Sequence, residues 1–561
     1  MKKELFGVFG DRETFSRLRS ERSFDRVVSG DVATVGVRDV GIGIPGRTSV
    51  YEGPEGVCVV WGEVYPPQFN RAQPAEWLLD RYAEAGADAL SELNGSFLAF
   101  VEHDGEAFVA TDPVRTRDCF FTDTADGRVF GTDATRVARA MDDHAVDEQG
   151  FLEFVHLGVV LGDRTVYEHL TRTPFDGYLT PSSTGTLDRF VYEPREFDYA
   201  DELARRIERA VRRRADQPGR SGLLLSAGYD SRMVLATQPS IEETYTLGEP
   251  DAPEVAVARR LADQYDAEHT TLVTNERYLN TDEDVIRYTQ GVRESLHVHH
   301  GGHEREMDVD TMYHGLLFDT LLRGYFLPED TVEIFDATIP LNRLDPDPDP
   351  VAHLRKKLGF MAASDRIFPG CEATGASSLD EFVDDTIGPV LDDNRERADS
   401  VYNAIARFGI QNQPSMAFHT HLADQYLESF VAVDAELLDW HLKTPPEHRN
   451  ERTFLRALKQ LDDDILEHRP PDRPTDSFRL NQAEKYLRRK LPGLKPFGAP
   501  WPDRDEVYDH YDLDYKLFPD SPAVHDLPVR LKLRINDLTR WMNDAEDDAV
   551  LAPDEALCPS F

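Results

Sequence analysis

The chain has 561 residues, too many for one ordinary hydrophobic core, so at least two domains are expected. Its 104 acidic residues outweigh 62 basic ones to give a net charge of −42, which argues against binding nucleic acid or an anionic membrane through a broad basic surface. Only 11 of the basic residues are lysine and the acid is spread along the chain, a composition like that of proteins from salt-accumulating halophiles, whose salt screens the self-repulsion.

Short strand-like runs dominate residues 1–192: LFGVFG, VATVGV, VCVVWGEVY, SFLAFVEH, EAFVATD and RVFGTD. Asp104-Gly105 and Asp126-Gly127 separate some of them as hairpin turns, and one helix is predicted over residues 74–93. This is a two-layer or sandwich pattern. From residue 193 the rhythm changes to helix 200–216, strand 221–226, helix 231–237, strand 243–248, helix 252–265 and strand 269–273. Such alternation predicts a doubly wound parallel sheet. The arginines of RRIERAVRRRAD read as the solvated face of an amphipathic helix.

Beyond about residue 330 the chain reads mainly helical, with DPDPDP (345–350) as a surface loop. Residues 193–495 are assigned to the second domain. Residues 496–561 form a C-terminal extension appended to it, ending in the helix-like VRLKLRINDLTRWMNDAED. Cys58, Cys119, Cys371 and Cys558 lie far apart without metal-type spacing, which suits thiols in a reducing compartment. No run of about 18 apolar residues exists, and MKKELFGVFG lacks a signal-type apolar region, so a cytoplasmic location is expected.

The segment LLLSAGYDSRMVLA (Leu223–Ala236) sets an apolar strand against a small, hydroxyl-rich turn and then a helix. Backbone N–H groups in such a turn, with the helix N-terminus behind them, favour an anion. Ala227 and Gly228 permit close approach, Ser226 and Ser231 add hydroxyl donors, and Asp230 suits a Mg²⁺ ion bridging to a pyrophosphate.

The turn resembles the S-G-G-x-D-S pyrophosphate loop of the asparagine synthetase family, within the ATP-pyrophosphatases. TLGEPDAPEVAVARRLADQYDAEHTTL is similar to the family's second strand and helix, and HGLLFDTLLRGY (His314–Tyr325) stands where the family has S-G-E-G-S-D-E-L-F-G-G-Y. FVAVDAELLDWHLKTPPEHRNERTFLRAL resembles a later segment, P-F-L-D…L…L-P…K-x-x-L-R. In the first half GVFG, GEVY, LNGSFLAF and ATDPVRTRDCFF follow the order of the family's class II glutamine-amidotransferase domain. The resemblance runs over about residues 6–475. It implies an N-terminal Ntn-hydrolase-like αββα domain, a PP-loop α/β domain, and ATP with Mg²⁺. By the same match Leu225 and Leu247 flank adenine, Ser226, Gly228, Asp230, Ser231, His314 and Gly315 surround ATP and pyrophosphate, and Asp230 and Asp319 hold Mg²⁺.

The departures are specific. Phe6 occupies the place of the family's nucleophilic N-terminal cysteine, with five residues ahead of it, and Trp61 replaces the oxyanion-segment asparagine. A phenyl ring cannot attack an amide, so no glutaminase is expected. Leu316 replaces the family's acid–base glutamate, and the window EHRPPDRPTD, where the family's late lysine falls, offers only Arg469 or Arg473. LHVHHGGHERE (His297, His299, His300, His303) lies where the family's substrate sits. Three roles are open for it: metal ligands, substrate contact or ordinary polar structure. Glu304, or a histidine beside it, is a candidate replacement base, and Arg473 a candidate for charge stabilisation.

The resemblance therefore implies an AMP- and pyrophosphate-forming amide ligase that activates a carboxylate as its acyl-adenylate. Its nucleophile is free ammonia or an amine on the substrate, its other partner a small-molecule carboxylate, and a homodimer is possible. A non-catalytic nucleotide binder is the alternative.

Overall fold

A computed structural model describes residues 1–67, 73–334, 337–475, 477–490, 501–546 and 551–557. The first part contains β1 (Glu4–Val8), β2 (Arg26–Ser29), β3 (Thr34–Arg38), β4 (Ser49–Gly53), β5 (Gly56–Tyr65) and β6 (Asn94–His103). It continues with β7 (Glu106–Thr111), β8 (Phe120–Thr124), β9 (Gly127–Gly131), β10 (Thr171–Arg172), β11 (Gly177–Leu179) and β12 (Thr184–Thr186). They make two six-stranded sheets, ordered β10-β8-β9-β1-β3-β2 and β12-β11-β7-β6-β5-β4, with antiparallel pairings.

Period-2 alternation sorts the side chains into layers. Leu5, Val35, Val37, Val57, Val59, Trp61, Phe100 and Phe130 meet between the sheets. Their neighbours Cys58, Val60 and Val64 face outward onto Leu78 and Leu79 of the helix Pro74–Ala85. Phe6 and Val8 face the other way, onto Phe151 and Val155 of the helix Glu148–Leu157. Helix, sheet, sheet, helix is the αββα arrangement the strand pattern and the resemblance led us to expect. The helix expected over 74–93 is shorter: it stops at Ala85 because Gly86 turns to φ 60°, and a 3-10 segment, Gly86–Glu92, follows.

The second part holds β13 (Ser221–Leu224), β14 (Glu243–Leu247), β15 (Glu268–Leu272), β16 (Thr311–Tyr313), β17 (Glu329–Ile334), β18 (Ala337–Leu344) and β19 (Leu427–Ser429). Five of these form a parallel sheet in the order β15-β14-β13-β16-β19. The order reverses between β13 and β16, and loops leaving the carboxyl ends of those two strands flank the natural ligand crevice of such a sheet. The helices Tyr199–Arg213, Tyr229–Thr237 and Pro253–Gln264 alternate with the strands as expected. The arginines of the first are less free than a solvated face implies: Arg206, Arg209 and Arg213 pair with Asp439, Glu436 and Asp434.

The region after 330 is not purely helical. β17 and β18 form a hairpin, and Pro340 is tolerated because a two-stranded ribbon leaves each strand an unpaired edge. DPDPDP is a loop whose last two residues already start a helix: Asp349 accepts from Ala352 N–H as N-cap, and Pro350 opens Pro350–Lys357.

The helix Val529–Ala545 packs on more than the second domain. Leu531, Ile535, Leu538 and Trp541 share one core with Phe151, Val155 and Tyr167 of the first part. Its fully buried Arg534 pairs with Glu294 at 2.8 Å and donates to the carbonyls of Val155, His156 and Leu157 at 3.0–3.2 Å, closing the C-terminus of the helix Glu148–Leu157. Cys58, Cys119 and Cys371 are buried free thiols, and Cys558 lies outside the described residues, as does the boundary expected at 495/496. Among the described residues no helix is long and apolar enough to cross a membrane.

Candidate functional site

A cavity of about 660 Å³ opens at the carboxyl ends of β13, β14 and β16. Leu225 and Leu247, both buried, form part of its wall, tied together where Thr246 Oγ1 donates to the Leu225 carbonyl at 2.7 Å. Ser226, Asp230, Ser231, His314, Gly315, Leu316 and Asp319 also line it. Residues from two distant motifs are thus brought to one place. Gly315 explains how: a Cβ there would sit 3.0 Å from both Asp230 Cβ and Ser231 N, tighter than ordinary contact, so glycine lets the two loops close together without displacement.

The 226–231 turn is held from inside. Ser226 N–H donates to Ser231 Oγ at 3.0 Å, Gly228 N–H donates to Ser226 Oγ at 3.1 Å, and Arg232 donates to the carbonyls of Ala227 and Gly228. Gly228 is the N-cap of Tyr229–Thr237, and that helix begins with no side-chain cap, so no side chain competes for its first N–H groups. Ala227 N–H, in contrast, already donates to Glu254 Oε1 at 2.6 Å. Gly228 has φ −66°, so the turn needs no left-handed residue there, and Ala227 in place of the family's glycine is accommodated.

Asp230 carries the electrostatic signature of the site. Its Oδ2 accepts from Arg323 Nη2 at 2.6 Å, while its Oδ1 is buried without a hydrogen-bond partner. Burial pushes the carboxyl up to about 6; Arg323 opposes the rise and Asp319 adds to it. Burial also works against the Arg323 guanidinium, but Asp230, Asp319 and Glu451 outweigh it and hold the group above its ordinary value. Asp319 Oδ1 accepts from its neighbour Thr320 N–H at 2.7 Å. An orphaned carboxylate oxygen beside a second aspartate and an open helix N-terminus fits Mg²⁺ with a pyrophosphate.

Two candidate residues lie away from the cavity wall. Glu304 accepts from His421 Nε2 at 2.9 Å; burial alone would raise its carboxyl, but His421 and backbone donors bring it down to about 2, which makes it a weak base. Arg473 pairs with Glu451 at 2.6 Å and lies over the Tyr229 ring, one ion pair away from Arg323, whose Nη1 is 4.0 Å from the same Glu451 oxygen. Of the histidine run, His297, His299 and His300 line the cavity; His303 contacts Glu306 instead. Among the described residues the one group spaced to hold a metal is His314, His419 and Glu428, not that run.

Sequence reasoning assigned no role to Arg323, although the signal was present: it stands where the aligned family motif has glycine. It also missed Glu428 and His419, and the cations Lys356, Lys357, Arg504 and Arg530 on the cavity wall, which come from segments with no motif. Trp501 stacks on His299 with ring centroids 4.7 Å apart, so the C-terminal part contributes to this cavity.

Residues 202–367 match the family model for asparagine synthase. Over that span the chain is similar to an asparagine synthase domain. The matched span includes the serine turn, the Gly315–Asp319 segment and the four strands β13–β16. Two solved structures also align, each over 64% of this chain with a TM-score of 0.20. One is titled as the allosteric regulatory enzyme of purine biosynthesis (12% identity, 82% of that chain). The other is the glutamine phosphoribosylpyrophosphate amidotransferase from B. subtilis complexed with ADP and GMP (13% identity, 83% of that chain). No curated protein matches the chain.

Phe6, expected from the resemblance at the place of the amidotransferase nucleophile, is buried in β1 with its ring 5.9 Å from Phe15 and 6.5 Å from Phe24. Arg117 lies over the Trp61 ring at 4.6 Å, and Glu63, two residues on, is 3.2 Å from the buried Arg214.

Proposed function

We propose that this protein is an ATP-dependent ligase that forms AMP and pyrophosphate, activating a small-molecule carboxylate as its acyl-adenylate for amide formation. The observation that carries this reading is the buried, unpartnered Oδ1 of Asp230 beside Asp319 and the uncapped helix N-terminus, inside the span similar to an asparagine synthase domain. Asp230 and Asp319 would hold Mg²⁺, which when bound supplies neutralisation of phosphate charge. Ser226, Ser231 and the helix N-terminus bind the phosphates through N–H and O–H donors; Leu225 and Leu247 offer the adenine an apolar wall and exclude water from it. The test is product analysis: AMP and pyrophosphate released from ATP in molar KCl only when a carboxylate from a broad panel is supplied. Release of ADP and orthophosphate instead would reject the reading.

We also propose that the first domain makes no ammonia, so the nucleophile is free ammonia or an amine on the substrate. Restoring a thiol is not expected to rescue it: Phe6→Cys empties part of an aromatic core and places the sulfur under the 148–157 helix layer. The variant should lose roughly 2–4 kcal/mol of stability and release no glutamate from glutamine. Glutamate release above the wild-type background would contradict this.

The second reading is a nucleotide binder without turnover. Leu316 in the glutamate's place and Arg323 on Asp230 favour it. ATP binding without any carboxylate-dependent AMP release would establish it.

A further inference from the structure

Lys356, Lys357, Arg504 and Arg530 bring positive charge to the cavity wall, in a chain with only 11 lysines against 104 acidic residues. They are not equivalent. Arg530 is taken by Glu294, its Nε 3.1 Å from Oε2. Arg504 stands near His299, the ring on which Trp501 stacks, and Lys356 is exposed. Lys357 is half-buried and closes the helix Pro350–Lys357.

Basic residues suit the last turn of a helix, but that does not explain where this one points. Arg355 of the same turn pairs with Asp380, on the helix Leu379–Arg395. Lys357 turns to the cavity. Its Nζ donates to the Tyr325 carbonyl at 2.5 Å and lies 4.1 Å from the centroid of the Tyr325 ring. Tyr325 N–H donates to the Asp319 carbonyl at 3.0 Å, which ties the ammonium to the segment carrying the second aspartate of the site. One N–H of the ammonium is used by the Tyr325 carbonyl and two are left. Burial lowers the group below its ordinary 10.5, and Glu329 and Asp319 pull it back, yet among the described residues neither closes to an ion pair with it. A half-buried cation without an ion pair costs free energy that an anion in the cavity would recover.

The charges nearby show which anion. A Mg²⁺ ion between Asp230 and Asp319 would be matched by those two carboxylates, and Arg323 is already held by Asp230 and, at 4.0 Å, by Glu451. The helix N-terminus at Gly228 contributes roughly half a unit charge. A polyphosphate in the 226–231 turn therefore still needs a cation, and Lys357 lies on the Asp319 side of it. In molar KCl the Debye length falls to about 3 Å, so a contact from a half-buried group survives where the field of an exposed one does not.

We propose that Lys357 binds the β- and γ-phosphates of ATP and stabilises the pyrophosphate as it leaves. The first half needs only that the cavity takes ATP; the second rests on the ligase reading above. In that step the carboxylate oxygen bonds to the α-phosphorus, the bond from this phosphorus to the bridging oxygen breaks, and the electron pair leaves with pyrophosphate. Lys357 meets the charge with two N–H donors and gives up no proton.

The experiment titrates the full chain with ATP and, separately, with AMP by calorimetry, in molar KCl with Mg²⁺, and then measures pyrophosphate exchange. In Lys357→Gln the affinity for ATP is expected to fall about tenfold with that for AMP unchanged. Exchange should fall roughly 100-fold, with a raised KM for pyrophosphate and an unaltered KM for the carboxylate. Lys357→Arg, which keeps the charge, should recover part of both losses. Lys357→Met, which keeps the stem over Tyr325, stands in if Lys357→Gln does not fold. ATP affinity unchanged, ATP and AMP affinity falling together, or a raised KM for the carboxylate alone would each overturn the proposal, as would a wild-type protein that binds AMP as tightly as ATP or binds neither. A wild-type protein with no exchange on any carboxylate, whose preference for ATP over AMP is lost in Lys357→Gln, would overturn the ligase reading and uphold the phosphate contact.

Discussion

Asp230→Asn is expected to lower carboxylate-dependent pyrophosphate exchange by about 10³-fold while leaving the fold intact. The substitution keeps the side chain's shape but removes the charge that a phosphate-bound cation needs. The same change should not weaken the protein. Asp230's carboxyl is held at about 6 in the fold against an ordinary 3.8, chiefly by burial, so the folded state grips that proton more tightly than the unfolded chain does. The stability linked to this proton is complete below pH 3.8 and is lost as pH rises through about 6. Above that range the ionised carboxylate costs the fold at most about 3 kcal/mol. The difference in Tm, variant minus wild type, should therefore widen as pH rises from about 5 to about 7 and stay positive beyond. A variant that is both inactive and less stable at neutral pH would show that Asp230 serves the fold through Arg323, and not a ligand.

The largest effect on stability is expected at Arg534. Arg534→Met should cost about 3–5 kcal/mol in urea unfolding, because it strips a buried partner from Glu294 and three carbonyl acceptors at a helix end. Arg530 also contacts Glu294, so the carboxylate keeps one cation and the loss belongs mainly to the orphaned carbonyls. Glu294→Gln, which leaves two arginines without their carboxylate, should cost a comparable amount. Losses under 1 kcal/mol in both variants would mean that the C-terminal helix is held by its apolar face alone.

The contrast between these two sites explains what the sequence could and could not reveal. The strand–turn–helix around Ser226 is local: apolar run, small residues and helix follow within fourteen positions, so both the element and its anion-binding potential are legible. The αββα layering was similarly readable, because alternation in segments such as VCVVWGEVY shows two buried faces. Pairings between distant segments leave no such trace. Arg323 reaches Asp230 across 93 positions, His314 reaches Glu428 across 114, and Arg534 reaches Leu157 across 377. Each polar side chain in these pairs looks like an ordinary residue on its own element. The hairpin β17–β18 was missed for a different reason: its acidic residues and Pro340 mask a β-branched alternation that a two-stranded ribbon tolerates. Glu304 attracted attention as a carboxylate beside the histidine run, yet it accepts from His421 on the helix Met416–Gln425 and from the Gly302 N–H, and it lies off the cavity wall.

The departures from the aligned family motif cluster in the segment His314–Arg323. Leu316 stands where the aligned family motif has a glutamate, and Arg323 brings a cation onto Asp230. Both lie beside the 226–231 turn, while the first part holds Phe6 in a cluster of phenylalanines.

The most direct test of that account is exchange of labelled pyrophosphate into ATP by the wild-type protein, in molar KCl with Mg²⁺, across a panel of amino acids and other carboxylates. The account predicts exchange that depends on one carboxylate or a narrow class of them and vanishes in Asp230→Asn. ATP binding with no exchange for any carboxylate would contradict it and leave a nucleotide-binding protein without ligase activity.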